Sequence, residues 1–473
     1  MNSYVNKSIK IRIFIDITIL RGYCCYEVIA LKRKIMDRII KWKNKGKDRM
    51  PLIINGARQV GKTYILREFG ERFYKNTIYV NLETNLSVSS YFDNDISPER
   101  IIRFLESSYG EVIIPEQTLI IFDEIQVCER ALTSLKYFCE EAPEYHIVAA
   151  GSLLGVAVNR EKYSYPVGKV DSLTLYPLDF EEFLWALEKE MLCSAITNGF
   201  NKNEPLPEAL HSQALELYKL YVIIGGMPAP VRKYKETGKL VEIADIQNKI
   251  LNDYIADMAK YATNKECVKI RGAYNSIPSQ LAKDNKKFQY KVIGKGGNAS
   301  MFGAAIDWLC FSGVVMKCQK IEHALMPIAV YTDLSSFKLY MGDVGLLTMK
   351  SGIAYQTILS SLQIDNTFLG SIAENYVAEA LSAKDYKLYY WESKSIAEVD
   401  FVLQIEDKII PIEVKAGIHT RSKSLSVFLE KYKVAYSIRI SAKNFGFENN
   451  IKSVPLYAVY NIGLGAMVSV PGA

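Results

Sequence analysis

One short segment has the residue types and the spacing of a phosphate-binding loop: Gly56-Ala57-Arg58-Gln59-Val60-Gly61-Lys62-Thr63, which fits G-x-x-x-x-G-K-[ST]. Glycines at these positions let backbone N–H groups curl around phosphates, and the N-terminus of a following helix adds partial positive charge. At this spacing Lys62 reaches the β and γ phosphates, and the Thr63 hydroxyl ligates Mg²⁺. An ordinary glycine-rich turn between a strand and a helix is the alternative. The segment therefore predicts nucleotide binding by residues 56 to 63.

Two adjacent carboxylates, Asp123 and Glu124, follow the apolar run Leu119 to Phe122. Such a run predicts a buried strand whose end presents both side chains. In a phosphoryl-transfer site Asp123 holds Mg²⁺, directly or through water, and Glu124 orients and deprotonates the attacking water. Adjacent carboxylates also occur as solvated caps of strands, so their interpretation depends on the phosphate loop. Together the two motifs predict hydrolysis, with Lys62 and Glu124 as catalytic residues.

A third candidate, Ser152, follows the strand-like segment His146 to Ala150. A polar side chain at the end of such a strand can touch the γ-phosphate or the attacking water, and we predict this catalytic role for Ser152. The alternative is a small residue that permits a tight turn. The sequence has no Asn-Lys-x-Asp tetrapeptide of the kind that selects guanine. ATP and Mg²⁺ are therefore the expected cofactors.

These residues need a sheet that brings the ends of several strands together, and the apolar pattern predicts one. Strand-like segments alternate with helix-like segments through the first part of the chain. The strands are predicted at residues 51–55, 77–82, 118–122 and 146–150, and the helices at 35–42, from 61 onward, at 98–107 and at 131–140. This alternation predicts an α/β fold with a parallel sheet and helices on both faces. We place the domain at residues 32–195 and its boundary in the polar segment 198–207.

The composition is that of a globular protein, because 49% of the 473 residues are hydrophobic and 23% are charged. These values exclude a disordered or low-complexity chain. The net charge of +6 is concentrated in residues 1–50, which carry a net +9 (13 Lys/Arg and 4 Asp/Glu), so a nucleic-acid interface would need a local patch. Eight cysteines without C-x-x-C spacing and four histidines without H-x-x-x-H spacing predict reduced thiols, no zinc site and a cytoplasmic protein.

The two ends of the chain differ from the rest. Residues 1–31 are expected to be a poorly ordered N-terminal extension. Residues 453–473 carry no charge, but prolines and glycines interrupt the stretch. We therefore expect a buried or edge strand at residues 456–460 rather than a membrane anchor, and no membrane partner.

The motifs resemble those of prokaryotic ATP-binding proteins of the AAA superfamily that carry a C-terminal domain of unknown function. The similarity rests on segments 51–63, 123–126, 151–154 and 176–183, and it continues through 225–228, 277–283, 340–347 and 374–377. It implies a P-loop NTPase core, a winged-helix region at residues 205–330 and a restriction-endonuclease-like α/β domain at residues 331–473. The usual trans-acting arginine is not identified, since Arg58 lies inside the loop and Lys169 stands where an arginine is expected.

A local basic patch lies in the middle of the chain. Residues 260–320 carry a net +8 (eleven Lys/Arg and three Asp/Glu), and helix-like segments 277–283 and 300–312 flank Lys286, Lys287, Lys291 and Lys295. A basic winged helix would contact the phosphate backbone of DNA. The alternative is a solvated lysine surface on a region that packs against the ATPase domain. Because residues 300–312 are largely apolar, they are poorly suited to reading base edges. DNA is therefore a candidate partner of this patch and of the C-terminal domain.

Four residues near the C-terminus resemble the site of the restriction-endonuclease-like superfamily: Glu374 on a helix, then Asp400, then Glu413 and Lys415 on the next strand. Side chains alternate along a strand, so Glu413 and Lys415 share one face, and Asp400 and Glu413 can hold one Mg²⁺. Lys415 would position water or neutralise a phosphate, and Glu374 would complete the site. The alternative is that these residues are solvated, as Glu and Lys often are on edge strands.

The sequence as a whole predicts a cytoplasmic, Mg²⁺-dependent ATPase whose nucleotide state repositions a DNA-associated C-terminal half. The alternative is an ATP-dependent regulatory or protein-interaction switch with an inactive nuclease-like domain. A small-molecule kinase is disfavoured, because two further domains follow the core in place of an acceptor pocket and lid. The missing arginine leaves the oligomeric state open.

Overall fold

A computed structural model of the protein describes residues 31–152, 165–360, 367–393, 397–417 and 423–463. The predicted N-terminal extension, apart from Leu31, and the last ten residues of the uncharged C-terminal stretch lie outside the described residues. The described residues from Arg33 onward belong to one compact unit.

A five-stranded parallel sheet forms the first part of the chain. Its strands are β1 (Leu52–Asn55), β2 (Asn76–Asn81), β3 (Thr118–Asp123), β4 (His146–Ala150) and β5 (Asp171–Thr174). The order across the sheet is β2-β3-β4-β1-β5, with every pair parallel. Strands β3 and β4 are buried along their whole length, which explains their nearly continuous apolar sequence. The predicted parallel sheet is confirmed.

Helices cover both faces of this sheet. They are α1 (Ile35–Lys43), α2 (Lys62–Phe73), α3 (Leu86–Asn94), α4 (Pro98–Tyr109) and α5 (Glu129–Glu141). Helices α3, α4 and α5 pack with Ile53, Ile120 and Phe122 in one apolar core. On the opposite face Trp42 of α1 contacts Phe69 of α2. The sequence missed α3, a short helix inside a polar segment, whose first turn is capped by the Asn85 side chain.

The middle of the chain is mainly helical. Its elements are α6 (Phe180–Ala186), α7 (Glu190–Lys202), α8 (Glu208–Ile224), α9 (Pro228–Thr237), α10 (Val241–Tyr261), α11 (Asn264–Leu281), α12 (Ala299–Phe311), the strands β6 (Val315–Ile321) and β7 (Thr332–Met341), α13 (Val344–Lys350) and α14 (Tyr355–Ser360). Helices α11 and α12 followed by the antiparallel pair β6–β7 have the order expected from the winged-helix prediction. That assignment remains a prediction.

The sequence Gly225-Gly226-Met227-Pro228 joins α8 to α9 and has a packing role. A side chain on Gly226 would bring its Cβ to 2.0 Å from the Leu178 carbonyl oxygen. The Leu178 N–H donates to the Gly226 carbonyl at 2.7 Å. Only glycine allows this approach of two backbones, which ties α8 to the segment that precedes α6.

Two further sheets complete the fold. Their elements are α15 (Thr367–Ser382), β8 (Tyr389–Ser393), β9 (Ala397–Val399), β10 (Phe401–Ile405), β11 (Lys408–Val414), α16 (Lys423–Tyr432), β12 (Ser437–Ser441), β13 (Gly446–Glu448) and β14 (Ile451–Pro455). One sheet has the order β7-β6-β8-β9 and the other β10-β11-β12-β14-β13. Because β6 pairs with β8, the boundary predicted at residue 330 lies within one sheet.

The strand predicted at residues 456–460 is wrong. Leu456–Asn461 is a buried 3₁₀ helix that follows β14. The segment is apolar because all of its residues are buried. A fully buried strand and a fully buried short helix both have continuous apolar sequences, so the pattern does not distinguish them. Among the described residues, no helix combines the length and the apolar character that crossing a membrane requires.

Candidate nucleotide site

The predicted phosphate loop joins β1 to α2 and has the backbone of an anion-binding nest. Gly56, Gln59 and Gly61 have φ angles of +141°, +65° and +97°, in the range that turns successive N–H groups inward. A Cβ on Gly56 would lie 2.2 Å from the Leu175 carbonyl oxygen, so this position needs glycine. The loop therefore presents its N–H groups at the N-terminus of α2, where an anion is stabilised.

Lys62 begins α2 and turns back over the loop. Its Nζ donates to the carbonyl oxygens of Gly56 and Ala57, both at 2.8 Å. Burial lowers the pKa of Lys62 to about 8, although the charges of Glu124 and Asp123 act in the opposite direction. A buried ammonium with carbonyl partners lacks a full counter-charge. Phosphate oxygens at the same place would supply that charge.

Thr63 and Asp123 are brought together as the sequence predicted. The Thr63 hydroxyl donates to Asp123 Oδ2 at 2.6 Å, and the Tyr79 hydroxyl donates to the same oxygen at 2.8 Å. The Glu124 N–H donates to Asp123 Oδ1 at 3.0 Å. A hydroxyl and a carboxylate are oxygen ligands of the kind that Mg²⁺ prefers, and the three donors to Asp123 are neutral. The pair fits a magnesium ion that also contacts phosphate.

Glu124 lies just beyond β3 in an unusual backbone conformation. Its φ and ψ are 53° and 41°, which turns the chain sharply after Asp123. Gln126 Nε2 donates to Glu124 Oε2 at 2.5 Å. Left-handed backbone at a non-glycine residue is costly and is typical of functional positions. The sequence analysis assigned no role to Gln126. Its position two residues after the candidate base Glu124 is the one sequence feature that could have indicated this contact.

Ser152 follows β4 at the same edge of the sheet. It is 4% exposed, and its hydroxyl has no hydrogen-bond partner in the described part of the chain. The parallel strands β1, β3 and β4 are neighbours, so Ser152 lies at the edge that also holds the loop and Asp123. Leu153 and Leu154 of the same motif lie outside the described residues.

Helix α10 covers the phosphate loop, a contact that the sequence did not predict. Arg58 Nη1 lies 2.7 Å from Asp257 Oδ1, and Gln59 Nε2 donates to Asp253 Oδ2 at 2.8 Å. The Tyr254 hydroxyl donates to the Arg58 carbonyl at 3.1 Å. Burial raises the pKa of Asp257 to about 6, although the charges of Arg58 and Lys260 act to lower it. Asp253, Tyr254 and Asp257 lie within about one turn of α10, so one side of this helix holds the loop.

Lys169, which stands where an arginine is expected, is not part of this site. Its Nζ pairs with Glu140 Oε1 at 2.9 Å, and both side chains are more than a third exposed. An exposed pair of this kind contributes little to stability. Lys169 is therefore a surface residue.

The four nuclease-like residues lie on three neighbouring elements: Glu374 on α15, Asp400 between β9 and β10, and Glu413 and Lys415 on and just after β11. Lys415 Nζ is 3.3 Å from Glu413 Oε1, and the Asp400 carboxylate accepts the Val414 N–H at 2.8 Å. Charges at Glu374 and Asp400 both act on Lys415. The predicted residues are thus within electrostatic range of one another.

Two lysines that the prediction did not include occupy this cluster. Lys286 forms an ion pair with Glu374, and Lys338, which is 1% exposed, pairs with Glu398 and lies 3.8 Å from Glu374. Burial acts to raise the pKa of Glu374, but the charges of Lys286 and Lys338 outweigh it, and the pKa is lowered. Burial raises the pKa of Asp400 to about 7, helped by the charge of Glu374.

In this arrangement the carboxylates of Glu374 and Glu413 are paired with cations of the protein itself. Lysine ammonium groups hold the Glu374 carboxylate, and Arg439 Nε lies 3.7 Å from Glu413 Oε2. A metal ion needs several open carboxylate oxygens, whereas the oxygens of Glu374 and Glu413 face cations and the Asp400 carboxylate accepts the Val414 N–H. Among the described residues, no three His, Cys, Asp or Glu side chains are grouped so as to hold a metal.

The basic patch at residues 260–320 is partly used in contacts within the protein. Lys260 pairs with Glu83, Lys286 with Glu374 and Lys320 with Glu392. Lys291 and Lys295, between α11 and α12, are exposed. Helix α12 buries Phe302, Ala305, Ile306 and Leu309, as its apolar sequence indicated, but it also exposes Met301 and Phe311. The surface is therefore mixed basic and apolar.

Comparison with family models divides the chain into three parts. Residues 48–184 match the model of an AAA domain. Residues 215–357 match a domain of unknown function, DUF8612, and residues 369–459 match another, DUF4143. We call residues 215–357 the middle region. No curated protein matches the chain.

Several solved structures are similar to parts of the chain. The Walker-type ATPase paby2304 of Pyrococcus abyssi is 15% identical with a TM-score of 0.43, over 68% of this chain and 96% of that chain. The ORC1 protein of Aeropyrum pernix in complex with DNA is 11% identical with a TM-score of 0.28, over 71% and 97%. AMPPCP-bound DnaA from Aquifex aeolicus is 13% identical with a TM-score of 0.28, over 59% and 88%.

The family model and the sheet order lead to one assignment. Residues 48–184 match the model of an AAA domain and have the P-loop NTPase fold. The two regions that follow it match models with no stated function.

Proposed function

We propose that the protein binds ATP with Mg²⁺ at residues 56–63 and hydrolyses it to ADP and phosphate. The observation that supports this most directly is the hydrogen bond of 2.6 Å between the Thr63 hydroxyl and the Asp123 carboxylate. In the adjoining loop, Lys62 donates to the backbone carbonyl oxygen of Gly56. The contact between Thr63 and Asp123 joins two residues that are 60 positions apart in the sequence, one from each motif of the proposed site. An accidental glycine-rich turn would not require it.

In this mechanism each residue has one task. The loop N–H groups and Lys62 bind the β and γ phosphates, and Thr63 and Asp123 would hold Mg²⁺. The bound Mg²⁺ would neutralise charge on the phosphate oxygens. Glu124, oriented by Gln126, takes a proton from the water that attacks the γ-phosphorus. Ser152 contacts the γ-phosphate or that water.

The test is equilibrium binding of ATP to wild type and to Lys62→Ala. We expect the variant to lose binding by at least about 100-fold, because it removes the only side-chain cation of the G-K-[ST] motif. Arg72→Ala is the matched control, since Arg72 is an exposed basic residue on the same helix. Circular dichroism of each variant verifies folding. Equal ATP affinity in wild type and Lys62→Ala would refute the site.

We further propose that DNA binding stimulates ATP hydrolysis by this protein. The exposed lysines between α11 and α12 support this proposal. Lysines that neutralise phosphates make binding dependent on salt. Duplex DNA should raise ATP turnover several-fold at low salt, and Lys291→Glu with Lys295→Glu should remove the increase. Lys47→Glu, an exposed lysine before β1, is the control. No effect of DNA on turnover at any salt concentration would end this proposal.

A specific observation favours the alternative for the C-terminal region, an inactive nuclease-like domain in an ATP-dependent switch. Its carboxylates face Lys286, Lys338 and Arg439 rather than an open cation site. The test is cleavage of plasmid and short duplex DNA in Mg²⁺ or Mn²⁺ with ATP present. We expect no cleavage by wild type. Cleavage that disappears in Asp400→Ala would establish a nuclease and overturn this reading.

A further inference from the structure

A small cavity lies between the phosphate loop and the middle region. It has room for about one water molecule. Arg58 and Ser152 of the AAA domain form one side, and Asp257 of α10 and Trp308 of α12 form the other. Trp308 also lines a cavity of about 940 Å³ between α10, α11 and α12, so its ring separates the two spaces.

Two hydrogen-bond donors at the small cavity lack an acceptor. The Ser152 hydroxyl and the Trp308 indole Nε1 are both buried, and neither has a partner among the described residues. Buried donors are almost always paired in folded proteins, because an unpaired one has lost its hydrogen bond to water. Two of them around one space indicate that an acceptor belongs there.

The position of the cavity indicates which acceptor. Lys62 reaches the β and γ phosphates, and Glu124 acts on the water that attacks the γ-phosphorus. The Asp257 carboxylate, which borders the cavity, lies close enough to Glu124 for the two charges to repel each other. Arg58 belongs to the phosphate loop itself. The space is therefore on the side of the loop where the terminal phosphate would lie, away from the nucleoside.

We propose that the terminal phosphoryl group of the nucleotide is recognised by three donors around this cavity: the Arg58 guanidinium, the Ser152 hydroxyl and the Trp308 indole N–H. This rests on the proposed ATP site and goes beyond it, because Trp308 lies in the middle region, outside the AAA domain. The middle region would then distinguish ATP from ADP by a direct contact. It would need no neighbouring subunit to do so.

Asp257 competes with the phosphate for Arg58. In the structure Arg58 is paired with Asp257 at 2.7 Å, and the cavity is too small for a phosphoryl group. A phosphate can enter only if Arg58 releases the Asp257 carboxylate and binds phosphate oxygens in its place. The phosphate and the Asp257 carboxylate, both beside Glu124, would also repel each other. The raised pKa of Asp257 indicates that an ionised carboxylate is poorly stabilised there. Binding of the terminal phosphate would thus separate α10 from the loop.

The test compares Mg²⁺ complexes of β,γ-methylene ATP and of ADP in equilibrium titrations. Trp308→Phe keeps a ring of similar shape and removes the N–H. We expect about tenfold weaker binding of the ATP analogue and unchanged binding of ADP, as for loss of one hydrogen bond to a charged group. Trp185→Phe, a half-buried tryptophan on α6, is the control and should change neither. Equal changes for both nucleotides, or no change, would refute the role of Trp308.

Asp257→Asn tests the competition separately. It should tighten binding of the ATP analogue about threefold or more and leave ADP unchanged, because Arg58 is released. Unchanged or weaker binding of the analogue would overturn the exchange. If wild type binds neither nucleotide, the proposed ATP site itself is refuted. If wild type binds both nucleotides and Trp308→Phe binds them equally well, only the role of Trp308 is refuted.

Discussion

The protein contains two groups of buried carboxylates, and they differ in the charges that surround them. At the nucleotide site, the donors to Asp123 are the hydroxyls of Thr63 and Tyr79 and a backbone N–H, all neutral. In the C-terminal cluster, Glu374 faces the ammonium groups of Lys286 and Lys338. Neutral donors leave the charge of a carboxylate available to a cation, whereas lysines neutralise it. Asp123 therefore has no cationic partner among these donors, whereas the protein's own lysines supply the counter-charge of Glu374.

Two buried lysines show the same difference. Lys62 is 8% exposed and faces carbonyl oxygens, and burial lowers its pKa to about 8. Lys338 is 1% exposed, and although burial acts to lower its pKa, the charges of Glu374, Glu398 and Asp400 raise it well above the ordinary value. Lys62 therefore lacks a full counter-charge, whereas the charges of three carboxylates act on Lys338.

The largest effect is expected at Glu124. Glu124→Gln keeps the shape of the side chain but removes the base, so ATP turnover should fall by about 100-fold or more while ATP binding is retained. Phosphate release and equilibrium titration measure the two quantities. Glu141→Gln, an exposed carboxylate at the end of α5, is the control. Turnover within tenfold of wild type would remove Glu124 from the mechanism.

The second prediction compares the two buried lysines directly. Lys338→Met should lower the free energy of unfolding by about 3 kcal/mol, because buried Glu374 then keeps only Lys286 and the partly exposed Glu398 loses its counter-charge. Lys62→Met should cost less than about 1 kcal/mol or stabilise, since it removes a poorly compensated charge. Urea denaturation of each variant without nucleotide measures both. Similar losses in the two variants would contradict the difference between the sites.

The sequence alone was sufficient to propose the nucleotide site, because the signal of that site is local. The loop, its flanking strand and helix, and the Asp123-Glu124 pair are each continuous in sequence, and parallel strands bring their ends to one edge. The ion pair of Arg58 with Asp257 joins residues more than 150 positions apart, and so does the cavity that Ser152 and Trp308 both line. No periodicity or spacing carries such information.

The C-terminal cluster was predicted less well for a related reason. Spacing identified Glu374, Asp400, Glu413 and Lys415, and the structure places them on adjacent elements. The lysines that occupy the cluster come from the segment before α12 and from β7, neither of which belongs to the motif. Whether a carboxylate binds a metal depends on such neighbours, and a short motif does not report them.

The third prediction is a pH dependence at Asp400. Its pKa of about 7 in the folded protein lies above the ordinary value of 3.8, so the folded state keeps a proton that the unfolded chain has lost. The contribution of Asp400 to stability is therefore complete below about pH 4 and is lost as the pH rises to about 7. Asp400→Asn should gain about 3 kcal/mol relative to wild type across this window. Urea denaturation at several pH values measures the difference, and an unchanged difference between pH 4 and 7 would contradict the shift.

The smallest effect is expected at Glu413, where the two interpretations of the cluster differ most. Glu413 Oε1 lies 3.3 Å from Lys415 Nζ, while Oε2 lies 3.7 Å from Arg439 Nε without a hydrogen bond. A glutamine at this position keeps an acceptor for Lys415. The lost attraction to Lys415 and Arg439 is offset because a neutral amide is easier to bury than a carboxylate. Glu413→Gln should therefore change the free energy of unfolding by less than about 1 kcal/mol. A metal ligand would behave differently, because Mn²⁺ would stabilise wild type and not the variant. Thermal unfolding of both proteins with and without Mn²⁺ distinguishes these cases. We expect the same response in both, since the cations that Glu413 faces are already part of the protein.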